Sequence, residues 1–188
     1  VRLGKECGEV NFSGSEVRVG AAMLDTNASQ AALRAGRAGL EFLSGIPGSI
    51  GGGLRMNEGA YGREFKDVLI EAEAIDADGK THRLPALDMN MGYRHCGVAE
   101  DWIFTLALFQ TEIGDAGVIQ RRMMEISSVR NGSQPIRSRT GGSTFANPNG
   151  GKAWELIGTA GCRGRRISCA QHSEVHCHLL KVWLLYTV

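Results

Sequence analysis

Three short segments hold residue types that could bind an anion, steady a carboxylate or pass a proton. The first is Gly45-Ile46-Pro47-Gly48-Ser49-Ile50-Gly51-Gly52-Gly53, followed by Arg55, Asn57, Gly59, Ala60, Tyr61 and Gly62. Glycines without a Cβ let backbone N–H groups face an anion or a flat ring at contact distance. Pro47 stiffens the turn, and Asn57 offers both a donor and an acceptor. The same composition suits a glycine-rich turn packed against a sheet, and the residues alone leave both readings open. The dinucleotide-binding and P-loop glycine signatures are absent.

The second segment is Tyr93-Arg94-His95-Cys96. In a strand the tyrosine and arginine would face opposite ways. An arginine in a site can clamp a carboxylate at two points or stabilise a developing oxyanion; the plainer alternative is a surface arginine where a strand meets a loop. The third runs from Arg137 through Thr140-Gly141-Gly142-Ser143-Thr144-Phe145-Ala146-Asn147-Pro148. Two glycines free the Ser143 hydroxyl to approach a ligand, and Pro148 holds Asn147 extended. A serine hydroxyl is a poor acid unless a neighbour, such as an arginine, stabilises its alkoxide. A simple turn would also account for this run.

Two further groups attract less weight. Cys169, His172, His176, Cys177 and His178 look like half a zinc site without a second tight ligand pair, so no metal is expected. Arg163, Arg165 and Arg166 could meet a diphosphate, or form a solvated face. No nucleophile elbow of the α/β-hydrolase kind is present.

The elements that must position these residues read as follows. Val17, Val19 and Ala21 alternate as a strand. Asp25, Thr26 or Asn27 can cap a helix over 28–35 that Gly36 ends, and a second short helix follows near 40–43. Val68, Ile70, Ala72 and Ala74 fall at period two, and Asp78-Gly79 is a hairpin turn returning through 81–84. The run 102–111 is a buried strand. Asp115 caps a helix over 116–131, with Ile119, Met123 and Ile126 on one face and Gly132 as its stop. A last helix spans 152–160, with Trp154 and Ile157 inward. The mixture lacks regular βαβ alternation, which makes the fold α+β.

The chain's 188 residues are 43% hydrophobic, enough for a real core in one large domain or two small ones. Lys and Arg total 21 against 20 Asp and Glu, so nothing in the balance points to nucleic acid or an anionic membrane. The 26 glycines are about twice the usual share of roughly 7%. The 5 cysteines are odd in number and include no CxxC pair, which favours a reducing, cytoplasmic setting. Val1-Arg2-Leu3 already reads like a strand, and an upstream segment is expected. The apolar stretch 179–188 is too short to span a bilayer.

Taken together and in order, the segments resemble the UDP-N-acetylenolpyruvoylglucosamine reductase (MurB) family. Gly-Ile-Pro-Gly-Ser-Ile-Gly-Gly at 45–52 with Met56-Asn57-Glu58-Gly59-Ala60-Tyr61-Gly62 is similar to its flavin-contacting stretch. Tyr93-Arg94, Gly142-Ser143-Thr144-Phe145 with Asn147-Pro148, Ala153-Trp154-Glu155-Leu156-Ile157 and Ala160-Gly161-Cys162-Arg163-Gly164 continue the match. The resemblance implies the second part of an FAD-binding domain of the PCMH or vanillyl-alcohol-oxidase-like kind over 1–112. Part of the family's C-terminal substrate domain, with an atypical tail, would then occupy 113–188.

It also implies a reaction. NADPH reduces FAD, and hydride passes to the enolpyruvyl double bond of UDP-N-acetylglucosamine enolpyruvate, giving UDP-N-acetylmuramate for peptidoglycan synthesis. Arg94 then matches the arginine that steadies enolate charge, and Ser143 the serine that donates the proton. Tyr93 and Asn147 match substrate-holding positions. Ile46, Pro47, Gly48, Ser49, Asn57, Gly59 and Ala60 match residues that line the flavin. The departures are an upstream Gly-Gly-Gly-Ser-Asn loop and a later catalytic glutamate, neither within this chain. Ser168-Cys169-Ala170-Gln171 stands where Gly-Gly-Ala-Gln is usual, and Ala146 replaces a lysine. The competing readings are a non-catalytic remnant unable to hold FAD, and a sugar or alcohol oxidase of similar fold. The Ser143 motif argues against the oxidase, which needs no such donor.

Overall fold

A computed structural model describes residues 3–134, 140–177 and 179–182, with the side chains of 140–143 and 182 outside that description. The chain divides into two compact units, Val1–Ser127 and Ser128–Val188.

The first unit is built on strands β1 (Val10–Ser13) and β2 (Glu16–Gly20), helix α1 (Asp25–Arg34) and helix α2 (Ile50–Met56). Strands β3 (Leu69–Ile75), β4 (Thr81–Pro85) and β5 (Ile103–Gln110) and helix α3 (Ala116–Ser133) follow, the last turns of α3 belonging to the second unit. The five strands form one antiparallel sheet in the order β1-β2-β5-β3-β4. Val17 and Val19 lie opposite Phe109 and Ala107, and all four are fully buried. Phe65 is the hub of this core. Its ring meets Phe109 and Phe42 edge-on, with centroids 5.3 and 6.2 Å away, the geometry the aromatic quadrupole favours.

The expected alternation over 68–74 is modified. A bulge between Leu69 and Glu71 inserts an extra residue against β5, so Val68 and Leu69 are both buried and Ile70 is not fully so. The 78–79 hairpin forms as read: Asp76 Oδ1 accepts the Asp78 and Lys80 N–H groups at 3.0 and 2.9 Å, and Gly79 takes φ +81°.

The helices differ from expectation in detail. Helix α1 starts at Asp25 with no side-chain cap, because Leu24 occupies the capping position. The stretch near 40–43 is a 3-10 turn over Glu41–Gly45. Gly132 does not stop α3 but lies in its last turn, while Ile119, Met123 and Ile126 are buried together as read. Helix α2 forms against local propensity, since its three glycines in seven residues each weaken a helix by about 1 kcal/mol. Burial of Ile50 and Leu54 and the Ser49 cap outweigh them.

The second unit holds β6 (Thr140–Ser143), α4 (Ala153–Thr159), β7 (Arg166–Ile167), β8 (Ala170–His172) and β9 (Leu179–Val182), with sheet order β6-β9-β8-β7. Its buried residues include Ala153, Ser173, Cys177 and Leu179. Trp154, expected inward, is 39% exposed. The short α4 turns Ala153 inward instead, and the Trp154 carbonyl accepts the Cys177 thiol at 3.1 Å. The apolar stretch after 178 supplies β9 as far as Val182; residues 183–188, like His178, lie outside the described residues. No helix among the described residues is long and apolar enough to cross a membrane.

Candidate functional site

Backbone bonds fix the path of the 45–49 loop. The Asp25 N–H donates to the Gly48 carbonyl at 3.1 Å, the Ile50 N–H to Met23 at 3.0 Å, and the Gly51 N–H to Ala21 at 2.9 Å. Ser49 pairs with Leu24 as an isolated bridge, and its hydroxyl accepts the Gly52 N–H to cap α2. Several of the glycines serve internal packing. A Cβ on Gly45 would lie 2.2 Å from the Tyr61 ring, and one on Gly53 2.1 Å from the Phe65 ring. At those two positions the close approach is made by protein side chains. What the loop leaves accessible is Pro47, Gly52 and Gly59, flanked by the half-buried Gly48, Ser49 and Ala60, while Ile46 is buried.

Asn57 closes α2 in the left-handed region, at φ 43°. It is buried, and its polar atoms are engaged. The amide donates to Glu64 Oε2 at 2.9 Å and to the Gly92 carbonyl at 3.2 Å, and its oxygen accepts the Lys66 N–H at 3.0 Å. A residue matched to a flavin contact is thus, in this chain, the tie between the glycine loop and the segment carrying Tyr93 and Arg94. The Glu64 carboxyl, held by Lys66 and Asn57, sits below its ordinary range.

Tyr93 and Arg94 do not lie in a strand. Gly92 and His95 exchange backbone bonds of 3.0 and 3.1 Å, which makes 92–95 a tight turn. Arg94 takes φ 51°, a conformation that costs a non-glycine residue about 1 kcal/mol or more. The pair therefore does not split across two sheet faces; both side chains are exposed on the turn, Tyr93 at 58%. Arg55 braces the following segment, donating to the Val98 and Trp102 carbonyls at 2.7 Å each while lying 4.8 Å over the Phe104 ring.

Two carboxyls beside this loop were not singled out from sequence as functional. Asp25 is fully buried, and neither of its oxygens has a hydrogen-bond partner. Glu58 is half-buried nearby. A Cβ on Gly48 would lie 2.6 Å from Asp25 Oδ2 and 3.0 Å from Glu58 Oε2. Burial, then the charge of Glu58, pushes the Asp25 carboxyl up from 3.8 to about 8. Burial also raises Glu58, and Arg94 pulls it back down. Glu58 lies inside the motif quoted above. Asp25 read only as a helix cap, and its enclosure by Gly48 is a tertiary fact with no local signal.

In the second unit, Ser143 ends β6 opposite Leu179; its hydroxyl lies outside the described residues, as do Arg137 and Arg139. Asn147 accepts the Ala153 N–H at 3.0 Å and so braces the start of α4. Arg163 donates to the Glu174 carbonyl and Arg166 to the Ser168 carbonyl. His172 Nδ1 lies 2.8 Å from the Cys177 carbonyl oxygen, and no cluster of three or more metal-ligating side chains occurs among the described residues. The structure thus gathers residues 46–49, 57–60 and 92–95 in the first unit, with Ser143 and Asn147 in the second.

Comparison with known proteins gives two family matches. Residues 3–85 match a model described as FAD binding domain, and residues 134–181 match UDP-N-acetylenolpyruvoylglucosamine reductase, C-terminal domain. The chain is 59% identical over 180 residues to a UDP-N-acetylenolpyruvoylglucosamine reductase of Parvibaculum lavamentivorans, covering 96% of this chain and 58% of that protein. It is 49% identical to the reductase of Azorhizobium caulinodans, with the same coverage. The crystal structure of the Thermus caldophilus reductase aligns with a TM-score of 0.86 at 34% identity, covering 96% of this chain and 66% of that one. The chain thus spans rather more than half the length of the curated relatives it matches.

Proposed function

The chain belongs to the UDP-N-acetylenolpyruvoylglucosamine reductase family over the stretch it spans, and from that premise we propose that it acts in the NADPH- and FAD-dependent reduction of UDP-N-acetylglucosamine enolpyruvate to UDP-N-acetylmuramate. The observation that carries this reading is the Asn57 tie to Gly92. It joins the glycine loop to the strained turn bearing Arg94, which supports reading a surface suited to a flat ring and a cation suited to a carboxylate as parts of one site.

The residues present fit FAD. Pro47, Gly52 and Gly59 are exposed and the two glycines add no side chain, which suits a planar ring packed close to main chain. Residues 46–49, 59 and 60 would line it, with Asn57 holding the loop from beneath. Bound FAD would supply the hydride that NADPH delivers. Arg94 would neutralise the enolate character that arises beside the substrate carboxylate when hydride adds to the double bond. Ser143 would give its hydroxyl proton to the other carbon, and Tyr93 and Asn147 would hold the sugar nucleotide. In this scheme residues 1–112 complete the FAD-binding domain and residues 113–188 contribute to the substrate domain. The protein would work in the cytoplasm, where the precursor is made, and would contact neither nucleic acid nor membrane.

The test is an FAD titration of the chain, read by flavin absorbance and fluorescence, followed by addition of NADPH with and without the enolpyruvyl sugar. Saturable binding, bleaching by NADPH and recovery of the yellow colour on adding the sugar are expected. No saturable binding, or recovery that ignores the sugar, would overturn the proposal.

A further inference from the structure

We propose that Asp25 is a positioning residue for Arg94: held as a neutral carboxylic acid under Gly48, it leaves Glu58 to carry the pair's single negative charge toward the Arg94 guanidinium. The inference deepens the reading of Arg94 as the substrate-facing cation, but its proton can be tested without FAD or substrate.

The geometry is unusual in three ways. Asp25 is wholly enclosed. Neither of its oxygens meets a donor, although it opens α1, where N–H groups are commonly used to hold a carboxylate. And the carboxyl it faces is another acid: Asp25 Oδ2 and Glu58 Oε2 flank one point beside the Gly48 α-carbon, at 2.6 and 3.0 Å. An ionised carboxylate without donors, next to a second one, is the least stable state of such a pair. A proton on Asp25 removes both penalties at once.

Which acid keeps the proton follows from surroundings. Burial first and Glu58's charge second push Asp25 up to about 8. Glu58 is less enclosed and feels Arg94, which favours its charged form. Among the described residues, the charged groups acting on the pair are the two acids themselves and, from the 92–95 turn, Arg94. Glu41, on the turn against which α1 packs, has its carboxylate occupied by the Gly39 N–H at 2.9 Å. Gly48 is the residue that allows this arrangement, since any side chain there would strike both acids. Beside this loop one acid of the pair keeps a proton, and Asn57, the residue before Glu58, ties that segment to the 92–95 turn carrying Arg94, whose charge favours ionised Glu58.

The linkage has a definite sign. The folded chain holds this proton up to about pH 8, and the unfolded chain loses it near 3.8. Between those values unfolding releases a proton, so stability falls as pH rises through that window and levels off above it. Asp25→Asn keeps the shape and is always neutral, so its melting temperature should rise relative to the wild type between pH 5 and pH 8, by several degrees. Parallel curves would overturn the proposal. Carboxyl carbon NMR of the wild type provides the same answer should the variant fail to fold: one aspartate is expected to titrate near neutral pH or above, and all aspartates titrating in the ordinary range would overturn it. The link to Arg94 is read in the same spectra. Glu58→Gln should lower the Asp25 midpoint, and Arg94→Gln should raise that of Glu58. No movement of Glu58 in Arg94→Gln would break the connection to the arginine.

Discussion

The Asn57 side-chain amide donates to the Gly92 carbonyl at 3.2 Å, across 35 positions of sequence. That bond joins the C-terminal end of α2 to the turn bearing Arg94. It is made by a residue already held at φ 43°, where asparagine is tolerated better than most. Asn57→Ala removes the bonds to Glu64, Gly92 and Lys66 together and puts alanine in a strained conformation. A loss of about 2–4 kcal/mol in urea unfolding is expected. Asn57→Gly relieves the strain but restores none of the bonds, so it should recover only about 1 kcal/mol of that loss.

Gly53→Ala places a methyl 2.1 Å from the Phe65 ring. Phe65 is fully buried between Phe42 and Phe109 and has no room to move aside. Overpacking of this kind costs about 1–3 kcal/mol or more. Thermal melting should show that loss, and Phe65→Leu in the same chain should recover part of it.

Arg55→Lys tests the brace on the 98–102 segment. The guanidinium reaches two carbonyls at once, Val98 and Trp102, and lies on the Phe104 ring. An ammonium cannot reproduce that fork. A loss of about 1–3 kcal/mol is expected, with hydrogen exchange speeding first around residues 98–102.

Ser143→Ala separates the two halves of the proposed reaction. Reduction by NADPH should remain close to wild type, while the sugar-dependent step slows by about 100-fold or more. Comparable loss in both steps would remove Ser143 from its role as proton donor.

How far these features could be read in advance depended on whether their causes were local. The α+β class, the 78–79 hairpin and the buried face of α3 follow from periodicity and turn residues, and all are present. Helix α2 was hidden because Gly51, Gly52 and Gly53 argue against helix. Its support comes from Ile50 and Leu54 in the core and from Phe65, which fills the space a Gly53 side chain would take. Nothing in the Tyr93-Arg94 dipeptide announces a left-handed arginine; the Gly92–His95 bridge imposes it. The order of the motifs carried the family, and the matches over 3–85 and 134–181 agree with it. Motif order could not reveal that Asn57 is consumed by internal bonds, nor that Asp25 is sealed against Glu58. Both are products of chain segments far apart in sequence.

The proposed reduction requires Arg94 to serve the sugar and not the flavin. The direct measurement is single-turnover absorbance of the FAD-loaded chain, comparing wild type with Arg94→Ala. The expected result is an NADPH step within about twofold of wild type and a sugar step slowed by about 100-fold or more. An Arg94→Ala protein that reduces the enolpyruvyl sugar at the wild-type rate, or that loses both steps equally, would contradict it.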